Sequence, residues 1–273
     1  MPRTQPLKTV CLIGVPTDRN SSFLRGPAKA PAHIRAALHS DMGNPATELG
    51  GGLESDIALH DAGDLPLAEC PGDDALIEQA VSRALAAGQA PLLLGGDHSI
   101  TLPSLRAFAR TYPRLSILHI DAHPDLYHEL LGNPRSHASP FARIMEERLA
   151  QRLVQVGIRT LNAHQRQQVA RFGVEVVPMR GFTPHHVPKL PGAVYISVDL
   201  DGLDPAFAPG VSHHEPGGLS VREVMDVFAR LADSQVVGAD VVELNPDRDL
   251  NGMTAVVAVK LAKELAALLA RDS

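Results

Sequence analysis

Eight short apolar runs, alternating with longer segments of helical period, constrain this chain more than any other feature. The runs are "TVCLIGVP", "DIALHDAG", "PLLLGG", "LSILHID", "LVQVGI", "VEVVPM", "AVYISVD" and "VVGADVVEL". Runs this short, rich in β-branched residues, read as strands buried on both faces. Between them lie "DDALIEQAVSRALAAG", "SPFARIMEERLAQ" and "SVREVMDVFARLAD", and "GMTAVVAVKLAKELAALLA" closes the chain with apolar residues at helical spacing. Ser220 and Glu223, three residues apart, form the signature of a capping box at the head of the third. Strands alternating with helices build an α/β domain, a parallel sheet covered on both faces. With 273 residues, 44% of them hydrophobic, the chain can bury a sizeable core. No repeat, low-complexity tract or long linker divides it, so one domain over residues 1–273 is expected.

Charge narrows the partners. The net charge of −6 comes from interspersed residues of both signs, without a basic stripe to neutralise a phosphate backbone. Nucleic acid is therefore not expected as a partner. No stretch reaches about 18 apolar residues, and the N-terminus lacks a long apolar segment before the first strand, so neither a membrane nor export is expected. The expectation is a cytoplasmic protein. Cys11 and Cys70 have neither the density nor the spacing of a disulfide framework or thiolate site and read as reduced bystanders.

Two stretches rich in turn formers, residues 40–54 and 201–219, have no evident element, and long loops of this kind are usually functional. In open α/β sheets ligands collect outside the carboxyl ends of the strands. Those ends are polar here. Asp97 and His98 follow "PLLL", "DAHPD" follows "LSILHI", Asp199, Asp201 and Asp204 follow or close "AVYISVD", and Glu243 follows "VVGADVV". Taken singly, Asp97 or His98 reads as a helix cap, Asp204 before Pro205 as a turn, and Glu243 as a solvated strand end. Four coincident strand ends argue for more.

Residues i, i+2 and i+4 of an extended chain share a face, so Asp121, His123 and Asp125 converge, as do Asp199 and Asp201. Pro124 steers His123 away from the helical region. Four carboxylates gathered together must be protonated or matched by positive charge, and Lys and Arg are nearly absent from these segments. Two divalent cations would supply that charge, with His98 and His123 as nitrogen ligands. Oxygen-rich, thiolate-free coordination suits Mn²⁺ or another hard to borderline cation. A single-metal site and a capped, solvated rim are the alternatives that residue spacing leaves open.

"GGDHS", "DAHPD" and "SVDLDGLDPAFAPG" resemble, in order and spacing, the three metal-binding motifs of the ureohydrolases, the family of arginases and agmatinases. "NSSFLRGPAKAPAHIR", "SHASPFARIME", "LVQVGIR", "PGVSHHEPGGLS" and "ADVVELNPDRD" extend the likeness, most closely to plant-type arginases. The resemblance implies an eight-stranded, mostly parallel sheet in a three-layer α/β/α fold and a dinuclear manganese centre, with Co²⁺ or Ni²⁺ as substitutes. One ion would be held by His98, Asp121, Asp125 and Asp199. The other would be held by Asp121, His123, Asp199 and Asp201, with Asp121 and Asp199 bridging. A metal-bridging hydroxide would attack a guanidinium carbon, yielding urea and an amine. Glu243 would orient the guanidinium, and His137, in "SHASP", would shuttle protons. With the metal ligand Asp125 these are the implied catalytic residues. Without that context His137 reads as a helix-start histidine. The family also suggests a homo-oligomer, a trimer or hexamer.

The substrate's tail is less legible. Asn133 and Ser136 can donate hydrogen bonds and Arg135 adds positive charge, which together suit an α-carboxylate. L-arginine is thus the expected substrate. Agmatine, N-hydroxyarginine and guanidino acids are the alternatives, and Asn162 is the nearest polar candidate for reading an α-amino group. His213 and His214 replace the Gly-Thr-Gly-Thr-like stretch of animal arginases and stand either at the pocket mouth or on an exposed loop. His164, His185 and His186 read as surface, and Tyr127 as a packed loop aromatic. Two other classes are a metal-dependent phosphoesterase, which would need cationic groups of which the inner motifs supply few, and an inactive ligand-binding relative, which would be expected to have damaged ligands where all six are intact.

Overall fold

A computed structural model describes residues 8–271 except 54 and 232. The eight apolar runs become strands β1 Val10–Val15, β2 Leu59–Asp64, β3 Ala90–Gly95, β4 Ser116–Ile120, β5 Arg152–Ile158, β6 Glu175–Pro178, β7 Ala193–Asp199 and β8 Gln235–Val242. They form one sheet in the order β2-β1-β3-β8-β7-β4-β5-β6. All seven pairings are parallel, so the sheet is more uniform than the mostly parallel one expected. Helices α1 Ala30–Leu38, α2 Asp73–Ala86, α3 Thr101–Thr111, α4 Pro140–Glu146, α5 Ala163–Phe172, α6 Val221–Ala229 and α7 Met253–Leu269 supply the crossovers and the closing layer.

The continuous apolar character of the strands has a direct cause. Val10 and Leu12 of β1 pack into one core with α1, α6 and α7, whereas Cys11, Ile13 and Val15 pack into a second with α2, α3 and α4. Both faces of each central strand are dry, so both registers of the period-two pattern must be apolar. The edge differs. β2 pairs only with β1 and is largely exposed, and its His60, Asp61 and Asp64 blunt an edge that would otherwise invite pairing. Ser220 and Glu223 make the expected capping box at α6. "SPFARIMEERLAQ" is helical only to Glu146, because Arg148 turns to φ 55.

Of the turn-rich stretch 40–54, residue 54 lies outside the described residues, and residues 40–53 do not reach the candidate site. Glu264, a buried acid of α7, accepts the backbone N–H groups of Glu48 at 2.8 Å and Leu49 at 3.0 Å, and the Arg271 guanidinium donates to the Leu49 carbonyl. α7 starts just beyond the carboxyl end of β8 and runs back along the sheet. These contacts near its C-terminus therefore hold the loop at the opposite end from the polar strand ends.

Candidate active site

The four strands with polar ends, β3, β8, β7 and β4, are neighbours in the centre of the sheet. Their carboxyl ends deliver His98, Glu243, Asp199, Asp201 and the Asp121–Asp125 segment to one rim. The extended-chain account of convergence needs correction. β4 stops at Ile120, and Asp125 adopts a left-handed φ of 48°. Asp199 caps a single 3-10 turn, Leu200–Gly202, by accepting the Asp201 N–H at 2.8 Å. Tight turns, rather than strand pleat, aim these carboxylates. Gly202 lets two of the turns touch, since a Cβ there would lie 2.9 Å from the Asp121 Cα.

His98 Nδ1 lies 3.1 Å from Asp125 Oδ2, 3.1 Å from Asp199 Oδ2 and 3.3 Å from Asp121 Oδ2. His123 Nδ1 lies 3.1 Å from Asp201 Oδ2 and 3.4 Å from Asp121 Oδ1. Among the described residues three groups have ligand atoms within 4.8 Å of one another; in His98–His119–Asp121 the His119 ring already bonds Asp121, and the other two, each able to hold a cation, are His98–Asp121–Asp125–Asp199 and Asp121–His123–Asp201. Asp121 belongs to both of these. Asp199, expected to bridge as well, enters only the first of them.

A buried atom tests whether a cation fits. His98 Nδ1 makes no hydrogen bond. The ring's Nε2 is 2.9 Å from Ser197 Oγ, and Ser197 gives its hydroxyl hydrogen to Asp240 Oδ1 at 2.6 Å. Ser197 Oγ must therefore accept from Nε2–H, which turns the Nδ1 lone pair toward three carboxylate oxygens. That arrangement is repulsive until positive charge sits among them, either a bound cation or a ring proton that the three carboxylates favour against burial. Asp240, in turn, takes hydroxyls from Thr101 at 2.8 Å and Tyr195 at 2.7 Å. On the other side, the Gln155 amide donates to His119 Nδ1 at 3.0 Å, leaving Nε2–H to donate to Asp121 Oδ2 at 2.8 Å. Sequence reading missed Ser197, Asp240, His119 and Gln155, because strand residues inside apolar runs look like core.

The charge balance points the same way. Burial, with the Asp121 charge beside it, pushes the Asp125 carboxyl up to about 7. Burial and Asp121 likewise hold Asp201 at about 6 despite His123, and burial with Asp201 and Asp121 raises Asp199 well above the carboxylate range. Such acids become stable carboxylates only when positive charge joins them.

Glu243 closes the rim, on a left-handed backbone of φ 67 that marks a held, strained position. Its Oε1 accepts from the His98 N–H at 2.9 Å and bonds His137 Nδ1 at 2.7 Å. Among the described residues Oε2 has no hydrogen-bond partner. His137 Nε2 meets Ser22, 2.8 Å from its hydroxyl and 3.2 Å from its N–H. Burial opposes charge on His137, but Glu243 outweighs it and lifts the imidazole to about 9. These groups line a cavity of about 360 Å³ with His123, Asp125, Asp199, Asp201, His213 and Tyr127. A larger concavity of about 770 Å³, lined by Tyr112, Arg114, Gln151 and Arg152 among others, holds no such cluster.

The structure moves the expected tail readers elsewhere. Arg135 bonds Asp74 at 2.7 Å and the Ser99 carbonyl at 3.3 Å, facing a separate cavity. Asn133 donates to Asn20 Oδ1 at 3.2 Å, and Ser136 is buried with its hydroxyl accepting the Ala138 N–H. None of the three lines the cavity, because the 133–136 turn folds these side chains toward the neighbouring loops. Tyr127, Thr160, Asn162 and Gln165 line it instead. Asn162 also caps α5 and donates to the Tyr127 hydroxyl at 2.6 Å. His213 stands at the mouth, its ring centre 5.1 Å from that of His137 and 6.2 Å from that of His123. His214 is exposed, as are His164, His185 and His186. Asp97 proves to be a cap, and Asp204 a turn residue accepting the N–H groups of Ala206, Gly217 and Gly218.

A sequence model of the Arginase family matches residues 8–267. The chain belongs to the arginase family. It is 49% identical over 278 residues to Arginase 1, mitochondrial, of Arabidopsis thaliana, covering 95% of this chain and 81% of that one. It is 35% identical to an agmatinase of Bacillus anthracis, covering 94% and 90%. The arginase structure from Medicago truncatula superposes with a TM-score of 0.91 at 43% identity, covering 97% of this chain and 88% of that one. These arginase-family names correct one expectation. Several plant relatives are named mitochondrial or chloroplastic, which overturns the cytoplasmic expectation. Among the described residues no helix is long and apolar enough to cross a membrane.

Proposed function

We propose that this arginase-family chain hydrolyses L-arginine to L-ornithine and urea at a dinuclear manganese centre. The observation that carries the reading is the joining of both cation-holding groups to Glu243 and His137 in one cavity. His98, Asp121, Asp125 and Asp199 would hold one ion, and Asp121, His123 and Asp201 the other, with Asp199 as a second bridge. When bound, two such ions supply a water activated for attack at neutral pH. Glu243 orients the substrate, its unpartnered Oε2 accepting the flat array of guanidinium N–H donors. His137 holds a proton for the amine that leaves when the carbon–nitrogen bond breaks. No lysine or arginine is among the described residues that line the cavity, which disfavours a phosphate ester as substrate.

The tail falls to neutral groups, Tyr127, Thr160, Asn162 and Gln165. That observation keeps agmatine as the second reading, since a pocket without a lysine or arginine for the tail discriminates less against a missing carboxylate. Urea release from arginine, agmatine and N-hydroxyarginine after loading with Mn²⁺ tests the choice. Arginine should lead in kcat/KM by about tenfold or more, the discrimination expected from one or two unpaired polar contacts. A lead for agmatine would overturn the tail assignment alone.

Metal uptake should release protons and tighten as pH rises. Asp125 at about 7 and Asp201 at about 6 are protonated in the folded chain where an unfolded carboxyl, at 3.8, is not. The metal-free fold therefore binds more protons across this window and loses stability as pH rises through it. Cations bind the deprotonated form, so their affinity should climb between about pH 5 and 7. Calorimetric titration of Mn²⁺ in buffers of different ionisation enthalpy reads both effects. An affinity flat across that range, without proton release, would contradict the assignment.

A further inference from the structure

The His137 ring is 8% exposed, and Glu243 occupies its Nδ1. Proton exchange is left to Nε2, which faces the hydroxyl of Ser22 at 2.8 Å. Ser22 itself is exposed at the cavity mouth. Its position is imposed from several directions. Asp97, the buried cap of the metal-ligand turn, accepts the Asn20 N–H at 2.8 Å and the Ser21 hydroxyl at 3.4 Å. The Asn20 carbonyl takes the His137 N–H at 3.1 Å, and Asn20 Nδ2 donates to Ser99 Oγ at 3.0 Å. The loop that carries Ser22 is thus tied to the same turn that presents His98 and to the backbone of His137. Among the described residues His213, the other imidazole nearby, makes a ring contact with His137 but no hydrogen bond.

We propose that Ser22 is the relay through which His137 exchanges its proton with water, a positioning residue acting through that histidine. On loss of a proton from the ring, Ser22 Oγ accepts it from Nε2 while its own hydroxyl hydrogen passes to water. Reprotonation runs in reverse, and Ser22 is neutral before and after each transfer. The two partners of the ring oppose one another. Glu243 favours the protonated imidazole, whereas the Ser22 N–H favours a bare Nε2 that can accept it. A ring held between those demands can give and take a proton without rearrangement.

The inference deepens the arginase reading of the site and can be tested apart from it. Ser22→Thr keeps a hydroxyl, whereas Ser22→Val has the same shape without one and leaves no gap for a water to fill. Ser22→Val should lower kcat by about 10²-fold, the low end for a positioned acid–base group, with KM and metal content unchanged and a larger solvent deuterium effect. Ser22→Thr should restore most of the rate. Equal kcat in the two variants would overturn the relay, as would a loss in Ser22→Val without any change in the isotope effect. The substrate-free readout is exchange of the His137 ring N–H with water, followed by ¹⁵N NMR. It should be slower in Ser22→Val than in Ser22→Thr, and equal rates would refute the relay even if wild-type protein released no urea from any guanidino compound.

Discussion

Asp121→Asn should empty both metal positions and remove measurable urea formation. Asp121 is the one side chain shared by the two cation-holding groups, with Oδ2 toward His98 and Oδ1 toward His123. Its carboxylate is held well below the ordinary range, because the surrounding histidines outweigh its burial. An amide has the same shape but half the acceptor atoms and no charge, so both ions lose a ligand at once. Asp125→Asn should be milder, since Asp125 belongs to the first group alone. Elemental analysis against urea release makes the comparison, and an Asp121→Asn protein with full metal and wild-type kcat would end the dinuclear reading. Chelation should also lower the melting temperature of the wild type. A ligand at about a hundred times its Kd stabilises the native state by about 2.7 kcal/mol.

His137→Ala should lower kcat by about 10²- to 10⁴-fold, the range of a positioned acid–base group, while metal stays bound. None of the metal-holding groups includes His137, and its partners are Glu243 and Ser22. The variant leaves Glu243 Oε1 with only the His98 N–H, so KM for arginine should move less than kcat. Steady-state rates together with metal analysis separate the two effects. Wild-type turnover in His137→Ala would return this residue to a structural role at the head of α4.

The α/β class was legible because its causes are local. A strand with both faces buried must be apolar at every position, and "PLLLGG" or "AVYISVD" says so without any knowledge of neighbours. The polar cluster was legible for a related reason. Burying four carboxylates beside two histidines has few physical remedies, and residues that follow strands of a parallel sheet must share one rim. That argument drew His98, Asp121, His123, Asp125, Asp199 and Asp201 together, and the structure sets these side chains at one rim, although the turns at Asp125 and Asp201, not extended chain, aim them.

Only the tertiary structure decided what the rest of the site does. Arg135 and Asn133 stand within four residues of His137 in sequence, yet one faces Asp74 and the other Asn20, because the direction of a loop side chain depends on the loop packed against it. Ser22 is 115 residues from His137 and Asp240 is 43 from Ser197, and no local pattern couples residues at such distances. A strand interior hides His119 and Gln155 among apolar neighbours until pairing sets them side by side. The sequence alone determined the chemistry that must be present, since charge burial and strand period are properties of short segments. Which groups supply the protons and read the substrate's tail was decided by loops meeting across the rim, where the partner of each donor is set by the whole fold.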